Sequence, residues 1–169
     1  IPGLPPTAIA NPGRAALAAV ATLYGGRGAL RDIARVMGLP QDAIARLIGV
    51  NVTATLQLTH LLLPLLRQQP RALLVNLGST FGSIGYPGFT AYCASKFALR
   101  GFTESLQEEE AGKVRVTSLH PGRTDTDMLS GDDGRPKMDA VEVAKAARLA
   151  VDAGPDAVVE FLRVRPART

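Results

Sequence analysis

The sequence predicts an α/β fold built on a parallel sheet, preceded by a short helical segment. Three observations predict it. Apolar runs of strand length, 72–77, 114–119 and 157–162, alternate with longer stretches of helical period. Gly- or Pro-rich text punctuates them at Gly82 to Gly88 and at His120-Pro121-Gly122. The first run, Ala72-Leu73-Leu74-Val75-Asn76-Leu77, is apolar almost without interruption, as a strand covered on both faces must be.

Taken in order, residues 1–13 carry four prolines and two glycines and read as an extended lead-in. Arg14 to Tyr24 and Ala29 to Met37 are Ala-rich and helix-prone, separated by Gly25-Gly26 and closed by Gly38-Leu39-Pro40. A longer helix is expected from about Asp42 to Arg67. Its apolar face is Ile44, Leu47, Ile48, Val52, Leu56 and Leu63, Thr59 interrupts that face, and Pro64 is a candidate kink. After the first strand and its glycine-rich loop, 90–109 reads as helix and 114–119 as strand. Asp139 to Val151 is a helix opened by a capping box of Asp139 and Glu142, and 157–162 is the last strand. The domain division expected is 1–47, extended and helical, and 48–169, the α/β unit.

Composition narrows the functional classes. Of 169 residues, 46% are apolar, enough for one core. The net charge of +4 is spread among acidic residues rather than gathered into a basic run, which argues against a nucleic-acid partner. One cysteine, Cys93, precludes an internal disulfide and suits a reducing, cytoplasmic setting, and no cluster has the spacing of a zinc site. The apolar stretch Leu61 to Leu66 is too short to span a bilayer, so a soluble protein without a membrane partner is expected.

The chemistry-bearing constellation begins with Tyr92 and Lys96, four apart on a predicted helix and therefore on one face. A lysine ammonium beside a phenol favours the phenolate and is expected to lower its pKa, so that Tyr92 serves as acid or base. Ser79 follows the first strand, and reactive groups collect at the carboxyl ends of parallel strands. Cys93 points about 100° away around the helix and reads as a small core residue. His60 reads as a surface histidine and His120 as a strand-end residue. A serine-hydrolase reading fails because Leu77 stands where Gly-x-Ser-x-Gly needs its first glycine.

In order, the words are Val50-Asn51-Val52, then Val75-Asn76-Leu77-Gly78-Ser79, then Tyr92-Cys93-Ala94-Ser95-Lys96, then Pro121-Gly122 with Thr126 behind. Over residues 48–128 this text resembles the short-chain dehydrogenase/reductase family, including the thirteen-residue step from Ser79 to Tyr92. Residues 140–144 and 154–155 resemble the end of some members. The resemblance implies a truncated Rossmann-like, doubly wound parallel sheet and hydride transfer between NAD or NADP and an alcohol or carbonyl. It implies Tyr92 as general acid/base, Lys96 as the residue that tunes it and holds the nicotinamide ribose, and Ser79 as the group that orients the substrate carbonyl. Asn51 would hold a water in a proton relay behind Lys96. Tyr92, Lys96, Pro121, Gly122, Thr124 and Thr126 would line the cofactor, with Thr124 where the family usually has Val or Ile. No metal is implied. The family's long helices pair with their copies, so a homodimer or tetramer through 42–67 and 90–109 is expected.

The family opens on a Thr-Gly-x-x-x-Gly-x-Gly turn that brings backbone donors to the cofactor pyrophosphate. Here the nearest text is Leu23 to Leu30, with Tyr24 and Leu30 in glycine positions, so weak cofactor binding is expected. Residues 13–47 instead resemble a segment of the bacterial DNA polymerase III alpha subunit, through Gly13 to Leu17, Arg27 to Arg35 and Gly38 to Pro40. Ala34, Gly38 and Ile44 also have the spacing of a helix-turn-helix. The alternative to an oxidoreductase is a catalytically silent, truncated or fused remnant that only dimerises.

Overall fold

The structure, a computed structural model, describes residues 41–127, 129, 134–154 and 156–167. The lead-in, the helices 14–24 and 29–37, the Leu23 to Leu30 text and the polymerase-like words to Pro40 lie outside these residues. Among the described residues the order is α1 (Gln41–Ile48), a π-helical turn (Gly49–Thr53), α2 (Ala54–Leu66), β1 (Leu73–Leu77), a 3₁₀ turn (Thr80–Gly82), α3 (Thr90–Glu109), β2 (Arg115–Pro121), β3 (Thr124–Asp125), β4 (Met138–Asp139), α4 (Ala140–Asp152) and β5 (Phe161–Val164).

β1, β2 and β5 form a parallel sheet in the order β1-β2-β5, and β3 pairs with β4 in a separate two-residue ladder. Leu73 pairs with Arg115 and Leu77 with Leu119, and on the far side of β2 Ser118 pairs with Phe161 and Pro121 with Val164. Helices cover both faces, as the doubly wound expectation requires. Because side chains alternate along a strand, Leu74 and Val116 point to one face and pack with Leu66 of α2 and Leu106 of α3. Leu73, Val75 and Leu119 point to the other and pack on Ala146 and Ala150 of α4. The strands β2 and β5 end two residues later than their apolar text suggested, because His120, Pro121, Arg163 and Val164 still pair.

The long helix departs from its predicted packing. It runs Gln41–Leu66 as α1, the π turn and α2, with Ala54 N–H bonded to the Gly49 carbonyl. The buried positions are Leu47, Asn51, Thr55, Thr59 and Leu66, while Ile44 and Leu56 of the expected apolar face are exposed. Thr59, expected to interrupt the buried face, belongs to it. These buried positions are mostly four apart, and the middle three, Asn51, Thr55 and Thr59, are polar, while Leu56, Leu58, Leu61 and Leu65 are left exposed. By length and composition Asp42–Leu66 is also apolar enough to cross a membrane, which counting Leu61 to Leu66 alone did not show.

α4 starts where predicted, but not with a capping box. The Asp139 carboxylate accepts the Val141 N–H at 2.8 Å, while Glu142 accepts from Lys145 at 2.7 Å instead of reaching back. α3 ends at Glu109, and Gly112, at φ +75°, turns the chain toward β2.

Candidate active site

β1 delivers its last residues to the carboxyl edge of the sheet. Gly78 N–H continues the ladder to the Leu119 carbonyl at 2.7 Å, and Ser79, still extended at φ −166°, starts the 3₁₀ turn. Its carbonyl accepts the Gly82 N–H at 2.9 Å and its hydroxyl oxygen accepts the Phe81 N–H at 3.2 Å. The glycines here fit close quarters. A Cβ on Gly78 would lie 2.8 Å from His120 Cε1, and one on Gly82 would lie 2.7 Å from the Lys96 carbonyl oxygen.

α3 presents Tyr92 and Lys96 to the same place. The Ser79 side chain adjoins the Tyr92 phenol, and the Lys96 ammonium sits over the Tyr92 ring, 5.6 Å from its centroid. Lys96 is buried, 3% exposed, and among the described residues its ammonium has no hydrogen-bond acceptor. Asn51 is brought in from the π turn, where its side-chain amide donates to Ser95 Oγ at 3.1 Å. The Ser95 hydroxyl in turn donates to the Tyr92 carbonyl at 2.7 Å. The Asn51 carbonyl accepts the Thr55 hydroxyl at 3.2 Å. Ser79, Tyr92, Lys96 and Asn51, chosen from sequence, thus converge around one end of α3, with Asn51 touching the helix through Ser95.

The electrostatics correct one expectation. The phenol of Tyr92 is held above its ordinary pKa, because burial disfavours phenolate more than the neighbouring Ser79 side chain favours it. Lys96 was expected to lower it. The ammonium instead faces the ring, and burial pushes its own pKa down to about 8. The site as folded therefore stabilises the neutral forms of both groups, and at neutral pH the phenol carries its proton.

The residues behind β2 are more dispersed. Pro121 ends the strand half-buried, and Gly122 N–H donates to the Val164 carbonyl at 2.7 Å. Thr124 Oγ1 donates to the Gly122 carbonyl at 3.1 Å, and Thr126 is exposed. A nicotinamide ribose fits the described donor set, since its hydroxyls can accept from the Lys96 ammonium, which has no acceptor among the described residues.

Sequence reasoning missed three features. Ser95, fully buried, is the link from Asn51 to α3. Phe81, Tyr86, Phe89 and Tyr92 form an aromatic cluster, with Phe81 stacked on Tyr86 at 5.2 Å and edge-on to Tyr92 at 6.0 Å. The aromatic residues spaced through the glycine-rich loop were its signal. His120, read as a strand-end residue, is wholly buried between Ser118 and the Ser79 turn. Its signal was an imidazole amid apolar strand text. Cys93 is buried, as expected of a small core residue, and His60 is exposed.

The sequence profile of short chain dehydrogenases matches residues 14–135. The chain belongs to the short-chain dehydrogenase family. The match takes in most of residues 13–47, so that segment aligns with the dehydrogenase family, and its expected likeness to a polymerase subunit is not shown. An uncharacterized oxidoreductase of Staphylococcus saprophyticus is 30% identical over 75% of this chain and 57% of its own length. A Xanthobacter autotrophicus relative, named an inactive 2-(S)-hydroxypropyl-CoM dehydrogenase, is 36% identical over 59% of this chain and 46% of its own. The chain spans about half the length of the curated relatives it matches. Among solved structures, an alcohol dehydrogenase of Thermococcus sibiricus complexed with 5-hydroxy-NADP superposes with a TM-score of 0.74 at 23% identity. That superposition covers 89% of this chain and 62% of that one. A 4-hydroxyisoleucine dehydrogenase complexed with NADH and succinate gives 0.71 at 22% identity, over 88% and 66%. These likenesses establish the Rossmann-type fold.

Proposed function

We propose that residues 48–169 are the catalytic half of an NAD- or NADP-dependent oxidoreductase acting on a small alcohol or carbonyl compound. The observation that carries this is the convergence of Ser79, Tyr92 and Lys96 at the end of β1, with the Lys96 ammonium over the phenol ring and without an acceptor among the described residues. The cofactor, held by Lys96, Tyr92 and the Pro121, Gly122, Thr124 and Thr126 segment, supplies or accepts the hydride. Ser79 orients the substrate oxygen by a hydrogen bond. Tyr92, protonated at neutral pH, donates its proton to that oxygen in reduction and takes one back in oxidation. Lys96 holds the ribose and places positive charge beside the phenol as its proton leaves. Asn51 fixes the first turns of α3 through Ser95 and holds the water that returns protons to Lys96.

The test follows nicotinamide absorbance with the 169-residue chain and a panel of small ketones and alcohols. Tyr92→Phe, which removes only the hydroxyl, is expected to lower turnover by about 10²–10⁴ with the fold unchanged by circular dichroism. Undiminished turnover in that variant would refute the role. The name of the Xanthobacter relative favours a second reading, a silent member that only associates. That reading predicts no turnover dependent on Tyr92.

We also propose a homodimer, soluble and cytoplasmic, formed through α1–α2 and α3. The outward side of these helices exposes Ile44, Leu58, Leu61, Leu65 and Phe97, with Leu61 70% exposed. Cys93, a free buried thiol, suits a reducing compartment. Light scattering is expected to give twice the chain mass, and Leu61→Glu to give the monomer. A monomer at high concentration in the unaltered chain would refute the interface.

A further inference from the structure

We infer that His120 is a positioning residue for Ser79, clamping the turn that carries it from the neighbouring strand. The inference rests on the oxidoreductase reading for its catalytic consequence, but its geometry stands apart. His120 is fully buried near the end of β2, stacked on Phe161 of β5 with ring centroids 4.6 Å apart. Its Nδ1 lies 2.7 Å from the Ser79 carbonyl oxygen, and its Nε2 lies 2.7 Å from Ser118 Oγ. A carbonyl only accepts, so Nδ1 carries the proton. In the neutral ring Nε2 then accepts from the Ser118 hydroxyl. Burial holds the imidazole pKa below its ordinary value, consistent with that neutral tautomer.

The ring also forms the floor of the turn. The contacts of Gly78 and Gly82 leave no room for a side chain between the turn, the imidazole and the backbone of α3. The Ser79 carbonyl is therefore held twice, by Gly82 N–H within the turn and by His120 from β2. Its hydroxyl oxygen accepts the Phe81 N–H, which leaves the hydroxyl proton free to donate. An apolar residue at 120 fills the space but leaves one carbonyl lone pair unmet, and the turn is free to shift against Tyr92.

Two variants separate clamping from packing. In His120→Asn the side-chain amide reaches the place of Nδ1 and keeps a donor. In His120→Leu the volume is kept and the donor is lost. We expect His120→Leu to lower kcat by about 10²-fold with little change in the KM for NADPH, as a misplacement of the order of 1 Å does. His120→Asn should recover at least tenfold of that. Amide exchange at Phe81 and Gly82 should accelerate in His120→Leu and return toward normal in His120→Asn. Equal kcat in all three proteins, or equal losses in Leu and Asn variants of matched melting temperature, would overturn the inference. If the unaltered chain shows no Tyr92-dependent turnover, the oxidoreductase reading fails on its own. The exchange measurement then decides the clamp, and unchanged protection in His120→Leu refutes it.

Discussion

The two ends of α3 bury polar groups in different ways. At its C-terminal end every buried polar group is matched. The Thr103 hydroxyl donates to the Leu99 carbonyl at 2.8 Å and accepts from the Asn76 amide at 3.0 Å. The Glu110 carboxylate, 1% exposed, is gripped by both arms of the Arg67 guanidinium, which holds its carboxyl below the usual range. Around them lies an apolar cluster of Leu66, Leu74, Leu106 and Val116. At the N-terminal end Lys96 is as deeply buried but has no acceptor among the described residues. A buried charge without a partner lowers stability, so a fold keeps one where a ligand completes it. The matched end holds α3 on the sheet, and the unmatched end is the one we propose does the chemistry.

The sharpest way to break this comparison is Lys96→Met, which keeps a long chain and removes the charge. Turnover is expected to fall by about 10²–10⁴, nearly as far as for Tyr92→Phe. Stability is expected to move the other way. The Lys96 pKa is depressed to about 8 from an ordinary value of 10.5. Between these values the unfolded chain binds a proton that the folded chain does not, so wild-type stability rises as pH climbs through that window. At neutral pH the ammonium is charged in both states and its burial is most unfavourable. With each pKa unit equivalent to about 1.4 kcal/mol, the variant is expected to be more stable there by on the order of 3 kcal/mol. The gap should close toward pH 10. Urea unfolding of both proteins across that range measures it, and a variant less stable than wild type at neutral pH would sink the comparison.

The sequence showed much of the unmatched end and little of how it is held. Tyr92 and Lys96 are linked by helical spacing, and Ser79 by its place after a strand, so local periodicity placed all three. The order of helices and strands was legible for the same reason. The buried side of the long helix was not. Hydrophobicity pointed to Ile44 and Leu56, but the side that packing buries includes Asn51, Thr55 and Thr59. The Tyr92 pKa was misjudged because a neighbour at four residues is visible in sequence, while burial of the phenol depends on a turn thirteen residues away. Asn51 was found by resemblance, but its partner Ser95 and the π turn around it exist only once the two helices pack.

The smallest of these effects tests the matched end. Thr103→Val is nearly isosteric, so it opens no cavity in a core where Thr103 is fully buried. It removes the oxygen that accepts the Asn76 amide at 3.0 Å, leaving that amide, 2% exposed, without its partner. Stranding a buried donor costs about 1–3 kcal/mol, and the hydrophobic gain of the added methyl offsets part of this. The net expectation is a loss of about 1 kcal/mol in urea unfolding, with the same kcat as the unaltered chain. Lys96→Met is expected to give the reverse pattern, more stable and far slower. If Thr103→Val instead slowed turnover as strongly as it destabilised the fold, the two ends of α3 would be one coupled unit, and the division drawn between them would fail.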